Sequence, residues 1–547
     1  MKLFTHKQLG FGKWKHPKLI LLTFLALSLI TNSCYKDRLD LDKIAGGKWN
    51  PELAAPIAYA DLTMTRMIKD SKTTWKEYPD GLLSLIYREN AVSDIADKVI
   101  TFPDQQNDTT ISFNLDPYMQ VGDSAFKYIF FNTKFEGRNN ERLDSILIKS
   151  GYVEFEVTTN LNHDGYLEVT IPTMTRYGVT FRKRIDFEYT GGNSTTIKVT
   201  VPLDDYYLTL DNSGGQHNHL TEYVKVSATK LNTPDNSPYT FELKQEIKEL
   251  TYYLAMGYFH QHTITIDETK IPIDLFDNQT AGSIFMEDPH MYITLTNSYG
   301  LPSEITFDEL YAERDGVKLD ITSSLLPTLN INYPAFTNIG GSDTSIYHFN
   351  AGNSNIIDII QMNPTQLVFD GFVNTNPTGT PVNNFVLDTS HIVVDVELEI
   401  PLYGRAVNFE LHDTTDINTG DVSNSSKIKA LTLNVNSDNG FPIDVFVQIY
   451  FTDSLNNIID SVFQSESNFL KAAPVGPAPD YRVTAKEHHL ARIVLNNDQI
   501  ENYNKAKKLI IAAKATSINS GQSVVKIYSD YSVFIEVAAK AEYETDF

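Results

Sequence analysis

Cysteine is almost absent from this 547-residue chain, which contains one, Cys34. A single thiol cannot close a disulfide within the chain, so internal cross-links cannot stabilise the fold. A zinc site built mainly from cysteine thiolates is excluded for the same reason. The chain also has only three tryptophans, and their scarcity weighs against sugar binding on tryptophan platforms.

Basic charge is in short supply as well. The chain has 45 lysines and arginines against 69 aspartates and glutamates, for a formal net charge of −24. Such a chain is repelled by nucleic acid and gains no electrostatic attraction to anionic lipid, so neither is expected as a partner. The 41% of hydrophobic residues is ordinary for globular proteins, and the acidity does not indicate disorder.

Long apolar runs are missing except for one near the N-terminus, the 12 residues from Leu19 to Ile30. The run is shorter than the roughly 20 residues that a membrane-spanning helix requires. Lysines without any acidic residue precede it, at Lys2, Lys7, Lys13, Lys15 and Lys18. This arrangement predicts a secretory signal peptide over residues 1–33.

The residues after the apolar run, Thr31, Asn32 and Ser33, lead directly to Cys34. This sequence resembles a bacterial lipobox, in the relaxed version of Bacteroidota lipoproteins. The resemblance implies cleavage between Ser33 and Cys34 and a diacylglycerol on the Cys34 thiol. The alternative is a cysteine that lies by chance beside an ordinary cleavage site. We expect several acyl chains at one point to hold the protein firmly on a membrane.

Two further stretches carry resemblances. Residues Tyr35 to Asp40 resemble the signals that send some Bacteroidota lipoproteins to the outer face of the outer membrane. Lys48 to Ile68 and Asp80 to Asn90 resemble the opening of uncharacterised Bacteroidota surface lipoproteins. These resemblances imply an outer-membrane protein displayed on the cell surface, and a periplasm-facing orientation remains the alternative. They imply no activity.

Helical periodicity is rare, and alternation with period two is common. Apolar and polar residues alternate from Val153 to Thr158 and again from Ile392 to Ile400. Alternation of this kind is typical of antiparallel sheets with one buried face. The sequence therefore predicts an all-β protein.

An internal repeat divides the chain. Three asparagine-led turns begin at Asn160, Asn297 and Asn436, which are 137 and 139 residues apart. A second turn follows each of the three, at Arg176 to Gly178, Arg314 to Gly316 and Ser454 to Asn457. In the last two repeats we expect a short helix next, Asn355 to Ile360 and Asp498 to Lys508, the second with Asp498 and Glu501 as its capping pair.

The repeat length is that of one β-sandwich. We therefore predict a linker and irregular N-terminal segment at 34–104, followed by tandem antiparallel sandwiches at 105–255, 256–412 and 413–547. The strand pattern resembles immunoglobulin-like or late-embryogenesis-type modules, a likeness of topology that does not imply a function.

Histidine pairs are the first candidates for a metal site. His217 with His219 and His260 with His262 form two H-x-H motifs, and His488 is adjacent to His489. Two residues at i and i+2 of a strand share a face, so either H-x-H motif could present two imidazoles to one metal ion. Because a third ligand is not evident, solvated or hydrogen-bonded histidines are the preferred interpretation. We predict no metal and no cofactor.

Calcium is a second candidate ligand, since the chain is acidic and secreted. The oxygen-rich stretches are Asp204 with Asp205, Asp211 to Ser213 and Asn160 to Asp164. None has the spacing of an established calcium loop, and ordinary turns explain them better.

Catalytic motifs are not evident in the sequence. No G-x-S-x-G or S-x-x-K nucleophile motif stands out and no glycine-rich phosphate loop is present, while the many acidic residues leave paired carboxylates open. Aromatic clusters at Tyr206–Tyr207 and around Tyr252, Tyr253, Tyr258 and Phe259 suggest sugar platforms, but core packing is the preferred interpretation.

The predicted function is that of a non-enzymatic, lipid-anchored binding, adhesive or structural module. Its partner would be an outer-membrane protein or an extracellular polymer. The alternative is an accessory lipoprotein docked on an outer-membrane β-barrel for nutrient uptake or secretion, and a surface glycan hydrolase is the third hypothesis.

Overall fold

The computed structural model describes residues 52–63, 74–94, 99–210, 216–276, 279–416, 428–463 and 467–543. The predicted signal peptide, Ser33, Cys34 and the candidate calcium stretch from Asp211 to Ser213 lie outside these ranges. Within them, no helix is long and apolar enough to cross a membrane.

Antiparallel strands make up most of the described chain, which confirms the predicted all-β class. The N-terminal strands are β1 (Glu52–Thr63), β2 (Thr74–Glu77) and β3 (Leu83–Asp94). The next group is β4 (Gln105–Phe113), β5 (Ser124–Lys134), β6 (Arg142–Thr159), β7 (Asp164–Arg176), β8 (Val179–Phe187), β9 (Thr195–Pro202), β10 (Tyr207–Thr209), β11 (His219–Thr229) and β12 (Tyr239–Tyr258).

The middle of the chain continues in the same way. Its strands are β13 (Thr263–Pro272), β14 (Gln279–Met286), β15 (His290–Asn297), β16 (Ser303–Arg314), β17 (Val317–Asp320), β18 (Thr328–Ile331), β19 (Asp343–Phe349), β20 (Gln366–Thr375), β21 (Asn384–Leu387) and β22 (His391–Pro401). The last group is β23 (Tyr403–Asp416), β24 (Ile428–Asn439), β25 (Ile443–Thr452), β26 (Ile458–Ser461), β27 (Ser467–Leu470), β28 (Glu487–Asn496), β29 (Lys508–Ser517), β30 (Val525–Lys526) and β31 (Ser532–Tyr543).

Short helices interrupt the strands. The α-helical segments are Ile356–Gln361, Asn497–Lys505 and Ile518–Gly521, and the 3-10 segments are Asp274–Phe276 and Phe336–Asn338.

Three units with the same strand order stand out. Unit 1 pairs its strands as β5-β11-β7-β8 and β9-β6-β12-β4; unit 2 as β13-β20-β16-β17 and β19-β15-β22-β3; unit 3 as β23-β29-β25-β26 and β28-β24-β31-β1. In unit 1 the short strand β10 also bridges β6 and β7. The matching orders support the internal repeat inferred from the sequence.

The N-terminal segment is where the structure departs furthest from the prediction. The sequence predicts an irregular linker at residues 34–104, yet β1 pairs with β31 of unit 3 and β3 pairs with β22 of unit 2. The corresponding strand of unit 1, β4, pairs with β12. The first three long strands therefore serve units 3, 2 and 1 in that order, and units 2 and 3 are each discontinuous in sequence.

A buried side chain ends the same strand in each unit. Thr159, Asn297 and Asn439 close β6, β15 and β24, and the side-chain oxygen of each accepts a hydrogen bond from the N–H two residues later, at 3.1, 2.8 and 2.9 Å. The sequence predicts the first and third equivalents at Asn160 and Asn436. Asn160 instead follows the end of β6 and Asn436 lies inside β24, so Thr159 and Asn439 make these turns.

Both types of predicted local element are found near their expected positions. The two-residue turns Tyr177–Gly178 and Asp315–Gly316 have positive φ at both residues, which hairpins of this length favour. The helix Asn497–Lys505 is present, but its capping box joins Asn496 to Gln499 instead of Asp498 to Glu501.

Candidate binding surface

The largest exposed aromatic group in the described chain lies on β5, an edge strand of unit 1. Alternate residues of β5 face the core and the solvent, and the solvent-facing set includes Phe126, Tyr128 and Phe130. These three side chains are 61%, 54% and 67% exposed. Aromatic rings exposed in a row are costly in water and mark interaction sites.

Neighbouring strands extend this surface. The rings of Phe126 and Tyr128 meet edge to face at 5.6 Å between centroids, and Phe130 meets Tyr223 of β11 at 4.6 Å. Lys225 Nζ of β11 lies 5.1 Å from the Phe126 centroid. On β7, the ring of Tyr166 is covered by the guanidinium of Arg184, whose Cζ lies 3.8 Å from the ring centroid. We call the surface formed by Phe126, Tyr128, Phe130, Tyr166, Tyr223 and Lys225 the aromatic face.

A pocket of about 400 Å³ lies where unit 1 meets the connection to unit 2. Both H-x-H motifs reach it, because His217, His219 and His260 line its wall. All three histidines lie in or beside loops, since β11 begins at His219 and β12 ends at Tyr258. We call this cavity the histidine pocket.

Backbone carbonyls set the tautomers of two imidazoles in the histidine pocket. His219 Nδ1 lies 2.6 Å from the His217 carbonyl oxygen, and His260 Nε2 lies 2.9 Å from that of Asn140. A carbonyl can only accept, so His219 Nδ1 and His260 Nε2 carry protons and donate to these carbonyls.

Cationic side chains also line the histidine pocket. Arg142 Nη2 contacts Asp144 Oδ2 at 3.2 Å, while Arg142 Nε is buried and has no hydrogen-bond partner among the described residues. Asp144 also lies 2.8 Å from His217 Nδ1. Lys134 and Glu136 pair at 3.1 Å on the rim. The pocket is therefore lined by imidazoles, two cationic side chains (Lys134 and Arg142) and two acidic ones (Glu136 and Glu141), and it carries no net positive charge.

The remaining predicted histidines serve local contacts. His262 Nε2 lies 2.5 Å from the Phe259 carbonyl oxygen and donates to it, because a carbonyl can only accept. His488 Nδ1 contacts Asp438 and His489 Nε2 contacts the Asn468 carbonyl, so the adjacent pair diverges. Within the described ranges, no three histidine, cysteine or acidic side chains are arranged to hold a metal ion.

The candidate calcium stretches take part in turn contacts where they are described. Asp205 Oδ2 accepts from the Tyr177 hydroxyl at 3.0 Å, and Asn160 Oδ1 accepts from the Thr240 N–H at 2.8 Å. Of the aromatic residues named from the sequence, Tyr252, Tyr258 and Phe259 are at most 5% exposed and lie in the core, whereas Tyr207 and Tyr253 are 39% and 40% exposed.

A carboxyl group is buried in the core of unit 1. Glu222 of β11 is fully buried and its Oε1 accepts from Gln245 Nε2 at 3.0 Å. Burial raises the pKa of Glu222 to about 7, and the hydrogen bonds from Gln245 and Thr133 oppose the rise. A cavity of about 10 Å³ beside it has room for one water molecule.

A second buried carboxyl secures the N-terminal strands to unit 2. Glu399 of β22 is fully buried. Its Oε1 accepts from the Tyr78 hydroxyl at 2.5 Å and lies 2.8 Å from Lys76 Nζ, and its Oε2 accepts from Lys76 Nζ at 2.9 Å. Burial and the bond to Glu399 raise the pKa of Tyr78 well above its usual value. Glu399, Lys76 and Tyr78 therefore form a structural contact between the β2–β3 hairpin and β22.

Comparisons with known proteins add little. No protein family model and no curated protein matches the chain. A putative secreted protein from Parabacteroides distasonis is a distant structural match, with a TM-score of 0.26 at 10% identity over 53% of this chain and 88% of that one. The structure of infectious bursal disease virus Gx strain gives 0.15 at 8% identity over 82% and 81%. Both TM-scores are too low to indicate a function.

Proposed function

We propose that the protein is a non-enzymatic, lipid-anchored module of the outer membrane that attaches to an extracellular polymer through the aromatic face. Cys34 carries the lipid, and the folded units stand on the outer surface of the cell. The observation that carries this proposal is the row of rings Phe126, Tyr128 and Phe130, each more than half exposed on one edge strand.

The spacing of these rings suits a chain-like ligand. Residues two apart on a strand are about 7 Å apart, so the row offers a repeating apolar surface about 14 Å long. Each aromatic side chain can bury about 150–250 Å² against a partner. A glycan chain, whose sugar rings repeat along its length and have apolar faces, matches such a row better than a compact small molecule does.

The order in which the first three long strands join units 3, 2 and 1 supports a position of the aromatic face away from the membrane. Strand β1 begins at Glu52, 18 residues after Cys34, and pairs with β31 of unit 3. Cys34 and its lipid would therefore be closest in sequence to a strand of unit 3, although the other strands of unit 3 come after units 1 and 2 in the sequence. Unit 1, which carries the aromatic face, is joined to the tether only through units 2 and 3 and the strands that serve them.

Binding to soluble polysaccharides tests the role of the aromatic face. We expect the full chain in mild detergent to be retarded in gels that contain a polymer it binds, and the variant Phe126→Ala/Tyr128→Ala/Phe130→Ala to migrate freely. The matched control is Thr263→Ala/Thr265→Ala on β13, the equivalent strand of unit 2, which should bind normally.

Retention of the triple variant equal to that of the parent would contradict the proposal, provided that both unfold at the same temperature. Co-purification of one outer-membrane barrel that is lost in the triple variant would assign the aromatic face to a protein partner instead.

Protease treatment of intact cells tests the anchor and the orientation. We expect cleavage of the units on intact cells and release of a Cys34→Ala protein from the membrane fraction. Protection until the outer membrane is opened would contradict surface display, and a Cys34→Ala protein that stays membrane-bound would contradict the lipid anchor.

A further inference from the structure

Strand β5 has an open edge, and the backbone groups along that edge belong to the aromatic residues. At the two ends of the strand, the Phe135 N–H donates to the Asn218 carbonyl at 2.7 Å and the Lys230 N–H donates to the Asp123 carbonyl at 2.9 Å. The odd-numbered residues of this stretch therefore bond to β11, with which β5 pairs in one unbroken register. Because these bonds alternate along an antiparallel strand, the even-numbered residues point their N–H and carbonyl groups away from β11. They include Ser124, Phe126, Tyr128, Phe130 and Asn132.

Strand β5 also lacks the features that keep edge strands from pairing with other chains. In unit 2, the register of the equivalent strand β13 shifts at Asp267 and Glu268, and bulges and charges of this kind prevent edge-to-edge pairing. Strand β5 has no register shift and no acidic residue. The charge at its middle, Lys127, donates to the Ser112 carbonyl of β4 at 2.8 Å. Within the described ranges, no strand pairs with the open edge of β5.

Unit 3 shows what this edge position accepts. Its equivalent strand, β23, pairs with β29 on one side and with β14 on the other. Strand β14 is antiparallel to β23 and comes from the chain between β13 and β15 of unit 2. The sheet edge that is open in unit 1 therefore receives, in unit 3, an antiparallel strand from outside the unit. Addition of a strand to a sheet edge is a common mode of protein association.

The order of residues along β5 favours a second copy of the chain as the added strand. Its outward residues are polar, aromatic, aromatic, aromatic and polar, the same from either end. If two copies run antiparallel with Tyr128 opposite Tyr128, then Phe126 of each copy lies opposite Phe130 of the other. Opposed Cα atoms of such pairs are about 5.5 Å apart, and aromatic pairs across strands stabilise a sheet. In this register every ring of the row meets a ring.

The size of this contact predicts a specific but weak dimer. The five opposed pairs would exchange about ten backbone hydrogen bonds, a number typical of protein–protein interfaces. More than half of each ring is exposed in the single chain. Six such rings offer at most roughly 700 Å² for burial. Because stable interfaces bury about 1,200 Å² or more, we expect association that depends on concentration.

From these observations we infer that two copies of the protein associate through β5, pairing antiparallel about Tyr128 so that the two unit 1 sheets become one continuous sheet. The inference goes beyond the proposed function and requires no polymer. Pairing uses the backbone edge, so the rings stay on the outer side of the joined sheet. The aromatic faces of the two copies therefore become one surface.

Cross-linking that depends on register tests this inference. With Cys34→Ala the chain has no thiol, so an introduced cysteine is the only one. We expect Tyr128→Cys to form a covalent dimer under mild oxidation, because a Cα separation of about 5.5 Å lies within the disulfide range of about 4.4–6.8 Å. Phe126→Cys and Phe130→Cys should each stay monomeric alone, since identical residues would lie more than about 13 Å apart. A mixture of these two variants should cross-link.

The matched control is Thr265→Cys, at an exposed site on β13, which should remain monomeric. A Tyr128→Cys chain that does not cross-link would overturn the inference. Equal yields for the three β5 variants and for the mixture would indicate random collision and would also overturn it. Cross-linking of Tyr128→Cys in whole cells to a different protein, without a dimer of the chain, would assign the edge to a foreign strand instead.

Two substitutions of Tyr128 separate backbone pairing from ring contacts. Tyr128→Pro removes the outward N–H, and proline is tolerated on an edge strand where that N–H faces solvent. Tyr128→Thr removes the ring and keeps the N–H. In sedimentation velocity of the full chain in mild detergent, we expect Tyr128→Pro to associate roughly tenfold or more weakly than Tyr128→Thr.

Equal association of the two variants, at equal unfolding temperatures, would contradict pairing through the backbone of β5. If Tyr128→Pro unfolds at a lower temperature than Tyr128→Thr, the cross-linking pattern decides, because its cysteines replace exposed side chains and leave the backbone unchanged.

Discussion

Strands β5 and β13 occupy the same position in units 1 and 2, but their outer faces differ. Each is an edge strand, paired with β11 or with β20. Their core-facing residues are alike in character, Ala125, Ile129 and Phe131 in β5 and Ile264, Ile266 and Ile271 in β13. Their exposed residues are not, with Phe126, Tyr128 and Phe130 in β5 and Thr263, Thr265 and Lys270 in β13.

This difference shows that the fold requires the core-facing residues of the edge strand but not aromatic residues on its outer face. Unit 2 forms the same strand order with threonine and lysine on the outer face of its edge strand, so aromatic rings at that face are not required for folding. The third equivalent strand, β23, is paired on its other side with β14 and is not an edge. Of the three equivalents, β5 alone combines an open edge with exposed aromatic rings.

The largest predicted effect concerns the core of unit 1, where Glu222 is buried on β11. Its carboxyl pKa is about 7 in the folded protein, against 4.5 for a glutamate in water, so the folded state binds the proton more tightly than the unfolded chain does. The contribution of Glu222 to the free energy of unfolding is therefore complete below about pH 4.5 and is lost as the pH rises through 7, a change of about 3 kcal/mol.

Hydrogen exchange measured against pH checks this prediction. Protection of unit 1 should fall relative to unit 2 between pH 4.5 and 7, and Glu222→Gln should remove the fall because an amide does not ionise. The control Glu242→Gln, an exposed residue on β12, should keep it. Equal pH profiles for the parent and Glu222→Gln would show that Glu222 does not titrate in this range.

The second largest predicted loss of stability compares the strand-end residues Asn297 of unit 2 and Thr159 of unit 1. Asn297→Ala removes an acceptor from the Tyr299 N–H and a donor to the Asn332 carbonyl, so we expect a loss of about 2 kcal/mol from the free energy of unfolding. Thr159→Ala removes the side-chain acceptor for the Leu161 N–H and should cost about 1 kcal/mol. Denaturant titration of both variants gives the order. A larger loss for Thr159→Ala would contradict the expectation that the two hydrogen bonds of Asn297 stabilise the fold more than the one of Thr159.

The smallest effect per substituted residue comes from replacing the outer-face residues of β5 with those of β13. In Phe126→Thr/Tyr128→Thr/Phe130→Lys, we expect the free energy of unfolding to change by no more than about 0.5 kcal/mol per residue, because the replaced side chains are mostly exposed. Thermal unfolding measures the change. A loss of several kcal/mol would mean that the rings hold unit 1 together and are not primarily a binding surface.

Local pattern predicted the local structure well. The alternation from Ile392 to Ile400 lies in β22, and the turns at Arg176 to Gly178 and Arg314 to Gly316 separate paired strands as expected. These features depend on the conformational preferences and the apolar pattern of residues that are adjacent in the sequence.

Long-range pairing could not be predicted in the same way. Strand β1 pairs Glu52 with Glu542, and no local signal relates residues so distant in sequence. The aromatic face was also missed, because the run from Phe126 to Phe131 is nearly continuous in apolar residues and is typical of a buried strand. Its exposure follows from the edge position of β5. The convergence of His219 and His260 on one pocket likewise required the fold.

Hydroxyl-radical footprinting with a bound polysaccharide tests the central claim most directly. The account predicts that Phe126, Tyr128 and Phe130 become protected when the polymer binds, whereas Tyr118 and Tyr177, which are 87% and 82% exposed elsewhere on unit 1, react as before. Protection of Tyr118 or Tyr177 without protection of the three rings on β5 would contradict the claim that the aromatic face is the binding surface.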